Sequence, residues 1–195
     1  KKSTSRLSRL IKKVGLRRPD QPIGVIDIGS NSVRLVGYSG TARAPLPIYN
    51  ERAFCRLGTS VAQTGAISGA YYEHAMATFR RFRAIADQLG INELYVFGTS
   101  AVRDATNRAQ FISEAEAIFG HKIRVLNGEE EALLSASGVI MSVDNVNGLV
   151  ADLGGGSLEL AHVENGHVLN WASLNIGVLA LDGFVQLGVK ALQNE

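Results

Sequence analysis

Residues 152–160, DLGGGSLEL, place an acid and three consecutive glycines between two apolar stretches. The preceding residues 148–151 are typical of a buried strand, and the alternation after the glycines predicts a second strand. Asp152 therefore ends one strand, and the glycines turn the chain into the next. Because glycine has no Cβ, its backbone N–H groups can approach a bulky anion. We interpret this turn as an anion-binding loop; the alternative is a tight hairpin that needs glycine only for its backbone angles.

A second strand–turn–strand pattern nearer the N-terminus contains the same residue types. Residues 23–27 and 33–38 predict two buried strands, and residues 27–32, DIGSNS, connect them. Both turns begin with an acid, Asp27 or Asp152, which is followed by small residues with N–H groups and hydroxyls. Such turns suit phosphate oxygens, and the acids suit a divalent cation or a water molecule. We therefore expect the two turns to face one site.

The order of the other predicted elements indicates the fold class. Strands are expected within residues 48–57, 94–98, 123–126 and 168–171, and a loop over residues 58–69. Helices are expected from Ser68 to Gly90 and over residues 109–119 and 128–141, with a turn or short helix over 99–107. Since strands alternate with helices, the predicted class is α/β with a mixed sheet. Phe79, Phe82 and Trp171 are expected in the core.

The amino-acid composition and the distribution of charge limit the number of domains and the kinds of partner that we expect. The chain has 195 residues, 46% of them hydrophobic, which suffices for one domain with an extension. Residues 1–18 contain eight of the 20 Lys and Arg and no acid, so the remainder has 12 basic against 18 acidic residues. We therefore expect no nucleic-acid binding by the body of the chain. The leader itself predicts a short basic amphipathic helix, either without a specific contact or directed at a membrane surface, a targeting system or a polyanion.

The single cysteine and the absence of long apolar runs predict a location. Cys55 excludes an internal disulfide and a cysteine metal cluster, and we expect a core thiol in a reducing compartment. No apolar run approaches the roughly 18 residues that a membrane span requires. The sequence therefore predicts a cytoplasmic protein without a membrane span.

Three consecutive glutamates follow a predicted strand in residues 127–132, NGEEEA. Acids in a first helical turn stabilise the helix dipole, which is a sufficient explanation for Glu129 and Glu130. A glutamate beside phosphate oxygens would repel them unless a cation intervened, whereas in a hydrolase it would polarise a water molecule aimed at phosphorus. Charge alone leaves open which glutamate acts as a base.

Five stretches together resemble the exopolyphosphatase and guanosine pentaphosphate phosphohydrolase family, and their order and spacing are highly specific. They are IGVIDIGSNSVRL (23–35), CRLGTSVAQTGAIS (55–68), FGTSAVRDATN (97–107), VLNGEEEALLSASGV (125–139) and VADLGGGSLEL (150–160). The resemblance implies a ribonuclease-H-like mixed sheet flanked by helices, the first domain of the actin, heat-shock ATPase and sugar-kinase superfold. The implied organisation is a basic extension (1–21), a phosphatase domain (22–184), and a tail or the start of a second domain (185–195).

The resemblance also assigns roles to the acids. Glu131 would be the catalytic base, and its neighbour Glu130 would be structural. Asp152 and Glu159 would organise the attacking water and Mg²⁺ or another divalent cation, and Asp27 would be a further metal ligand.

The phosphate-binding residues implied by the resemblance come from both loops and one helix. They are Gly29, Ser30, Asn31, Ser32, Arg103, Gly154, Gly155 and Ser157. Thr99 and Ser100 match the family less well, and capping of the following turn is the alternative role for them.

The implied function is an exopolyphosphatase that hydrolyses the terminal phosphate of inorganic polyphosphate. The alternatives are a guanosine pentaphosphate phosphohydrolase, a non-catalytic polyphosphate- or nucleotide-binding module, and a kinase-like or ATPase activity. The family has a second ribonuclease-H-like domain after the segment that ends near Phe184. We therefore expect a piece of a longer enzyme, or a partner or homodimer mate that supplies the other half. Both loops, Arg103 and Glu131 are expected on the one wall of the cleft that is present.

Overall fold

Five strands form a mixed sheet in the part of the chain that the structure describes. This computed structural model describes residues 21–40 and 45–179. The strands are β1 (Ile23–Ile28), β2 (Val33–Tyr38), β3 (Pro47–Ala53), β4 (Glu93–Gly98) and β5 (Ile123–Val125). Their order is β3-β2-β1-β4-β5, with β1 antiparallel to β2 and parallel to β4. The predicted ribonuclease-H-like mixed sheet is confirmed.

Helices cover one face of this sheet because alternate strand residues are large and apolar. They are α1 (Leu57–Thr64), α2 (Gly69–Gln88), α3 (Ser100–Asp104) and α4 (Arg108–Phe119). A further helix, α5 (Gly128–Ser142), packs against a second sheet instead. Ile26 and Leu35 are fully buried from the sheet side, and Phe79 and Phe82 from α2, as predicted for the two phenylalanines. Phe79 also meets Phe111 of α4 edge to face, with ring centroids 5.7 Å apart. These aromatic contacts fix α2 and α4 against the sheet.

The predicted loop over residues 58–69 is wrong in its first half, because α1 occupies it. Arg56 and Gly65, on either side of α1, both adopt the left-handed conformation, with φ of 51° and 73°. The small polar residues of α1 have modest helix propensity, so the pattern did not indicate a helix. Burial of Leu57 against the core supplies the stabilisation that propensity does not. The long helix does begin after Ser68, as predicted.

The second loop belongs to a separate sheet, which differs from the expectation of one cleft wall. Strands β6 (Gly148–Leu153), β7 (Leu158–Glu164) and β8 (His167–Leu174) form an antiparallel sheet in that order. Helix α5 carries the chain from β5 to β6, and Ala136 packs with Ala161 and Val163 in a second small core. The two loops are therefore carried by two different sheets.

Trp171 is 45% exposed, so its predicted place in the core is wrong. It lies on β8, where two other large apolar side chains, those of Leu169 and Leu174, are also exposed. Cys55, in contrast, is buried beside Thr78 as expected, and burial raises the pKa of its thiol. No helix within the described ranges is long and apolar enough to cross a bilayer. The predicted leader helix and the tail lie outside the described residues, and the domain bounds stay a prediction.

Candidate active site

A cavity of about 310 Å³ lies where the two acid-led loops meet. Eleven of the twelve sequence-predicted site residues line it; Arg103 is the exception. The eleven are Asp27, Gly29, Ser30, Asn31, Ser32, Glu131, Asp152, Gly154, Gly155, Ser157 and Glu159. Residues that are far apart in the sequence and on different sheets are thus brought to one place. Their chemical roles stay predictions.

The two loops have the same backbone construction, in line with their similar sequences. In the first, the N–H of Gly29 donates to the carbonyl of Ser32 at 3.0 Å. In the second, the N–H of Gly154 donates to the carbonyl of Ser157 at 2.8 Å. Each bond closes a four-residue turn directly after a strand that contains an aspartate, so the turns present equivalent backbone groups.

The glycines of the second loop allow it to pack against the first. A Cβ on Gly155 would lie 2.9 Å from the backbone nitrogen of Asn31. A Cβ on Gly156 would lie 2.4 Å from Ser100 Oγ and 2.7 Å from Ser30 Oγ. Neither glycine has a positive φ. The glycine run is therefore required by the close approach of two loops, in addition to any approach of a ligand.

Three loop carbonyls accept hydrogen bonds from neighbouring backbone N–H groups, which fixes the orientation of the peptide groups in both loops. The carbonyl of Ser30 accepts from the N–H of Gly58 at 2.7 Å. The carbonyls of Gly154 and Gly155 accept from the N–H groups of Val178 and Leu179, each at 3.0 Å. In a trans peptide the C=O and the following N–H point in opposite directions. The N–H groups that follow these three carbonyls therefore point away from those donors, and all belong to cavity-lining residues.

Two hydroxyls connect the first loop to α3. Ser30 Oγ and Ser100 Oγ lie 2.7 Å apart and share a hydrogen bond in a buried position. Ser100 and Thr99 both line the cavity. Thr99 is the N-cap residue of α3, but its side chain makes no cap bond, and its Oγ1 donates instead to the carbonyl of Ile28 at 3.5 Å. Both are site residues for which the sequence offered only a weak family match.

Glu130 and Glu131 are neighbours in α5 but have different surroundings. Asn127 Oδ1 accepts from the N–H of Glu130 at 2.9 Å, and Glu130 Oε2 accepts from the N–H of Asn127 at 3.0 Å. This capping box, together with an ion pair to Arg124, occupies the Glu130 carboxylate. The Glu131 side chain is only 10% exposed and lines the cavity. The helix start therefore directs one of its glutamates at the site.

Arg103 contacts Glu131 but does not itself line the cavity. Its Nη1 forms an ion pair with Glu131 Oε1 and donates to the carbonyl of Leu126 at 2.8 Å. The guanidinium thus joins α3 to the start of α5. Its predicted contact with substrate stays a prediction, and the observed contact is with the candidate base.

Burial raises the pKa of Glu131 to about 7. The Arg103 guanidinium lowers the pKa of Glu131, because it stabilises the ionised carboxylate by a hydrogen bond and by its charge. The carboxylates of Glu159 and Asp27 raise the pKa further, because they repel the ionised form. A carboxylate with a pKa near neutrality can accept a proton from water and release it at physiological pH. Perturbation of this kind in a polar cavity is typical of catalytic groups.

The remaining acids are fixed by serines that the sequence gave no reason to select. Asp152 and Glu159 are direct cross-strand partners in the β6–β7 register. Ser135 Oγ donates to Asp152 Oδ2 at 2.6 Å, and Ser173 Oγ donates to Glu159 Oε1 at 3.0 Å. Glu159 is almost fully buried, with 4% exposure. These serines lie on different elements from the acids, so no local spacing could reveal them.

Asp27 completes the group of acids. Burial raises the pKa of Asp27, and repulsion from Asp152 adds to this rise, while Arg34 and Arg52 oppose it. The described residues contain no group of three or more His, Cys, Asp or Glu that could hold a metal ion by themselves. Mg²⁺ usually binds one or two carboxylates together with substrate phosphates and waters. The pair Asp27 and Asp152 fits a cation of this kind.

The sequence matches one family over most of its length. The Ppx/GppA phosphatase family matches residues 38–184. Guanosine-5'-triphosphate,3'-diphosphate pyrophosphatase of Aeromonas hydrophila is 33% identical over 153 residues, which cover 78% of this chain and 31% of the relative. Exopolyphosphatase 1 of Mycobacterium bovis is 33% identical over 142 residues, which cover 71% of this chain and 41% of the relative.

Solved structures give the same result. An exopolyphosphatase from Cytophaga hutchinsonii superposes with a TM-score of 0.77 at 30% identity, covering 84% of this chain and 53% of the other. The Ppx-GppA enzyme of Aquifex aeolicus gives a TM-score of 0.73 at 27% identity, covering 84% and 55%. The chain thus spans about half the length of these structures and a third to two fifths of the curated relatives. The protein belongs to the Ppx/GppA phosphatase family.

Proposed function

We propose that this protein hydrolyses the terminal phosphate of inorganic polyphosphate by attack of a water molecule. The observation that carries the proposal is the presence of both loops and the buried Glu131 on one cavity. The name of the M. bovis relative, Exopolyphosphatase 1, supports this substrate. The reaction breaks the last P–O–P bridge, and the water oxygen is retained on the released phosphate.

The loops bind and orient the terminal phosphoryl group in this proposal. Backbone N–H groups of both loops face it, and the hydroxyls of Ser30 and Ser157 lie at the same cavity. Fixed N–H dipoles stabilise the charge that develops on phosphoryl oxygens in the transition state without reorganising. Contact between Gly155 and Asn31 sets the distance between the two halves of this phosphate site.

Glu131 orients the attacking water and accepts its proton. Its pKa of about 7 is suited to this role. At neutral pH a large fraction of the carboxyl group is ionised, and the carboxylate is a stronger base than one with an ordinary pKa. Arg103 positions the Glu131 carboxylate by donating a hydrogen bond from Nη1 to Oε1. The proton then passes to the phosphate products, which restores the carboxylate.

Four carboxylates line the cavity, and a polyanionic substrate would be repelled by them without a counter-charge. They are Asp27, Glu131, Asp152 and Glu159. Asp27 and Asp152 would hold Mg²⁺ or another divalent cation, and Glu159, a predicted ligand, lines the same cavity. The cation supplies charge neutralisation and orientation of the phosphate when it is bound.

A second candidate substrate is guanosine pentaphosphate. The A. hydrophila relative named for this compound is as similar to the chain as the exopolyphosphatase, at 33% identity. Both substrates end in a phosphoanhydride-linked phosphate, so the loops and Glu131 would act on either. A non-catalytic phosphate-binding module is the third alternative.

Phosphate release is the decisive measurement. Long-chain polyphosphate, guanosine pentaphosphate and ATP are incubated side by side with the protein and Mg²⁺. Turnover of polyphosphate with little turnover of ATP supports the proposal, and preferred turnover of guanosine pentaphosphate supports the second substrate. Binding of polyphosphate without hydrolysis of any of the three compounds would instead identify a non-catalytic phosphate-binding module. The predicted cytoplasmic location and possible homodimer are separate proposals, and light scattering tests the second.

A further inference from the structure

An aspartate and two arginines form a row across the end of the five-stranded sheet. Asp27 of β1 is the register partner of Arg34 of β2, which is in turn the partner of Arg52 of β3. Direct cross-strand partners project from the same face of a sheet. Both arginines are close enough to oppose the rise in the pKa of Asp27. The row therefore places positive charge beside the candidate cation and phosphate site.

Arg52 is the one basic residue among the described residues that line the cavity. It is exposed, and within the described ranges its guanidinium has no hydrogen bond or ion pair. Arg34 differs, because its Nε donates to Asn50 Oδ1 at 2.9 Å. A guanidinium that has no partner among residues 21–40 and 45–179 and borders a cavity with four carboxylates is available for a ligand anion.

The other arginine expected to bind substrate is already engaged. Arg103 bonds Glu131 and the carbonyl of Leu126, and it lies outside the cavity lining. The loops supply neutral donors only. Among the described residues, the basic side chain of this cavity is therefore carried by β3, the edge strand of the five-stranded sheet.

We propose that Arg52 binds a phosphoryl group beyond the terminal one, so that the substrate chain leaves the cavity across β3. This inference rests on the proposed function for its substrate class, a linear polyphosphate. A guanidinium matches the oxygens of a phosphoryl group with two parallel N–H donors. The terminal group is bound by the loops and the next groups by Arg52, so Arg52 distinguishes a chain from a single phosphate.

The test compares tripolyphosphate with orthophosphate by isothermal titration calorimetry in the presence of Mg²⁺. The parent protein contains Glu131→Gln, so that the ligand is not consumed during the titration. Adding Arg52→Gln is expected to weaken tripolyphosphate binding by roughly tenfold, the size of one charged hydrogen-bonded contact. Orthophosphate binding is expected to change less than about twofold in the same protein, since the loops bind it.

Two further variants separate this contact from a general effect of charge. Arg80→Gln removes the same charge from an exposed arginine of α2 that does not line the cavity, and tripolyphosphate binding is expected to stay unchanged. Arg52→Lys is expected to restore part of the affinity. Equal tripolyphosphate binding by the Arg52→Gln and Arg80→Gln proteins would overturn the inference, as would equal losses for both phosphates.

The outcome is independent of whether the protein hydrolyses polyphosphate. If the native chain releases no phosphate but Arg52→Gln still weakens tripolyphosphate selectively, the proposed hydrolysis fails and the Arg52 contact stands. If phosphate is released normally and Arg52→Gln leaves both KM and tripolyphosphate affinity unchanged, the contact fails and the proposed hydrolysis stands. Thermal melting of each variant confirms that it is folded.

Discussion

Arg103 and Glu131 form an ion pair at the wall of the cavity, although they belong to different helices and lie 28 residues apart in the sequence. The pair connects the end of α3 to the first turn of α5. It also opposes the effect of burial on the Glu131 carboxyl, so that the pKa stays near neutrality. The position of the candidate base and its affinity for protons thus depend on one guanidinium.

Replacing Arg103 should change the pH dependence of turnover. In Arg103→Met the pKa of Glu131 rises above about 7, because the opposing charge and hydrogen bond are lost. The acidic limb of the kcat profile is expected to move to higher pH, with a loss of roughly tenfold at pH 7 that recovers partly at pH 8.5. Arg103→Lys keeps the charge and should shift the limb less. An unchanged profile with a raised KM would instead assign Arg103 to substrate binding.

Glu131→Gln should abolish turnover and preserve binding. The amide keeps the volume of the side chain but cannot accept a proton from water, and loss of a base typically lowers kcat by about a hundredfold or more. Phosphate release and polyphosphate affinity are measured on the same preparation. Glu129→Gln is the matched control, because Glu129 is an exposed acid of the same helical turn and does not line the cavity. Normal turnover in Glu131→Gln would transfer the role to a neighbouring acid.

Stability should fall as pH rises between about 4.5 and 7 in metal-free buffer. The pKa of Glu131 is 4.5 ordinarily and about 7 in the folded protein, so the folded state binds the proton more tightly. The stabilisation is complete below 4.5 and is lost as pH rises through the folded value. Glu131→Gln should remove this contribution and reduce the fall in Tm from pH 5 to pH 8 by roughly 3–8 °C. Parallel melting curves for the two proteins would contradict the shifted pKa.

Gly156→Ala should separate the loops. Its Cβ would lie 2.4 Å from Ser100 Oγ and 2.7 Å from Ser30 Oγ, which share a hydrogen bond. We expect a loss of about 1–3 kcal/mol in the free energy of unfolding and weaker orthophosphate binding. Gly138→Ala is the control, because a Cβ there meets nothing within 4 Å. As a glycine inside α5, Gly138 should give a gain of about 0.5–1 kcal/mol when replaced by alanine.

The loops could be predicted from the sequence because their function depends on residue types within a short stretch. An acid at the end of a strand and small residues after it remain together whatever the tertiary structure. Glu131 and Glu130 could be separated only through the family resemblance, and the structure adds the physical distinction, a capping box on one and burial of the other.

The features that sequence reasoning missed depend on contacts between distant segments. Arg52 lines the cavity because β3 pairs with β2, and Ser173 contacts Glu159 because β8 pairs with β7. Arg83 of α2 donates to the carbonyls of Phe119 and Ile91, which lie outside its own helix. The separate sheet of β6–β8 was missed for the same reason, since strand pairing is not encoded in local periodicity.

Each loop is supported from behind by its own neighbours: the first by Gly58, and the second by Val178 and Leu179. The two halves of the phosphate site are therefore held by separate backbone hydrogen bonds, and they meet where Gly155 and Gly156 pack against Ser30, Asn31 and Ser100. An anion bound by both loops would connect the two sheets that carry these loops. We therefore expect a mutation that moves one sheet relative to the other to lower phosphate affinity even where the mutated residue does not contact the ligand.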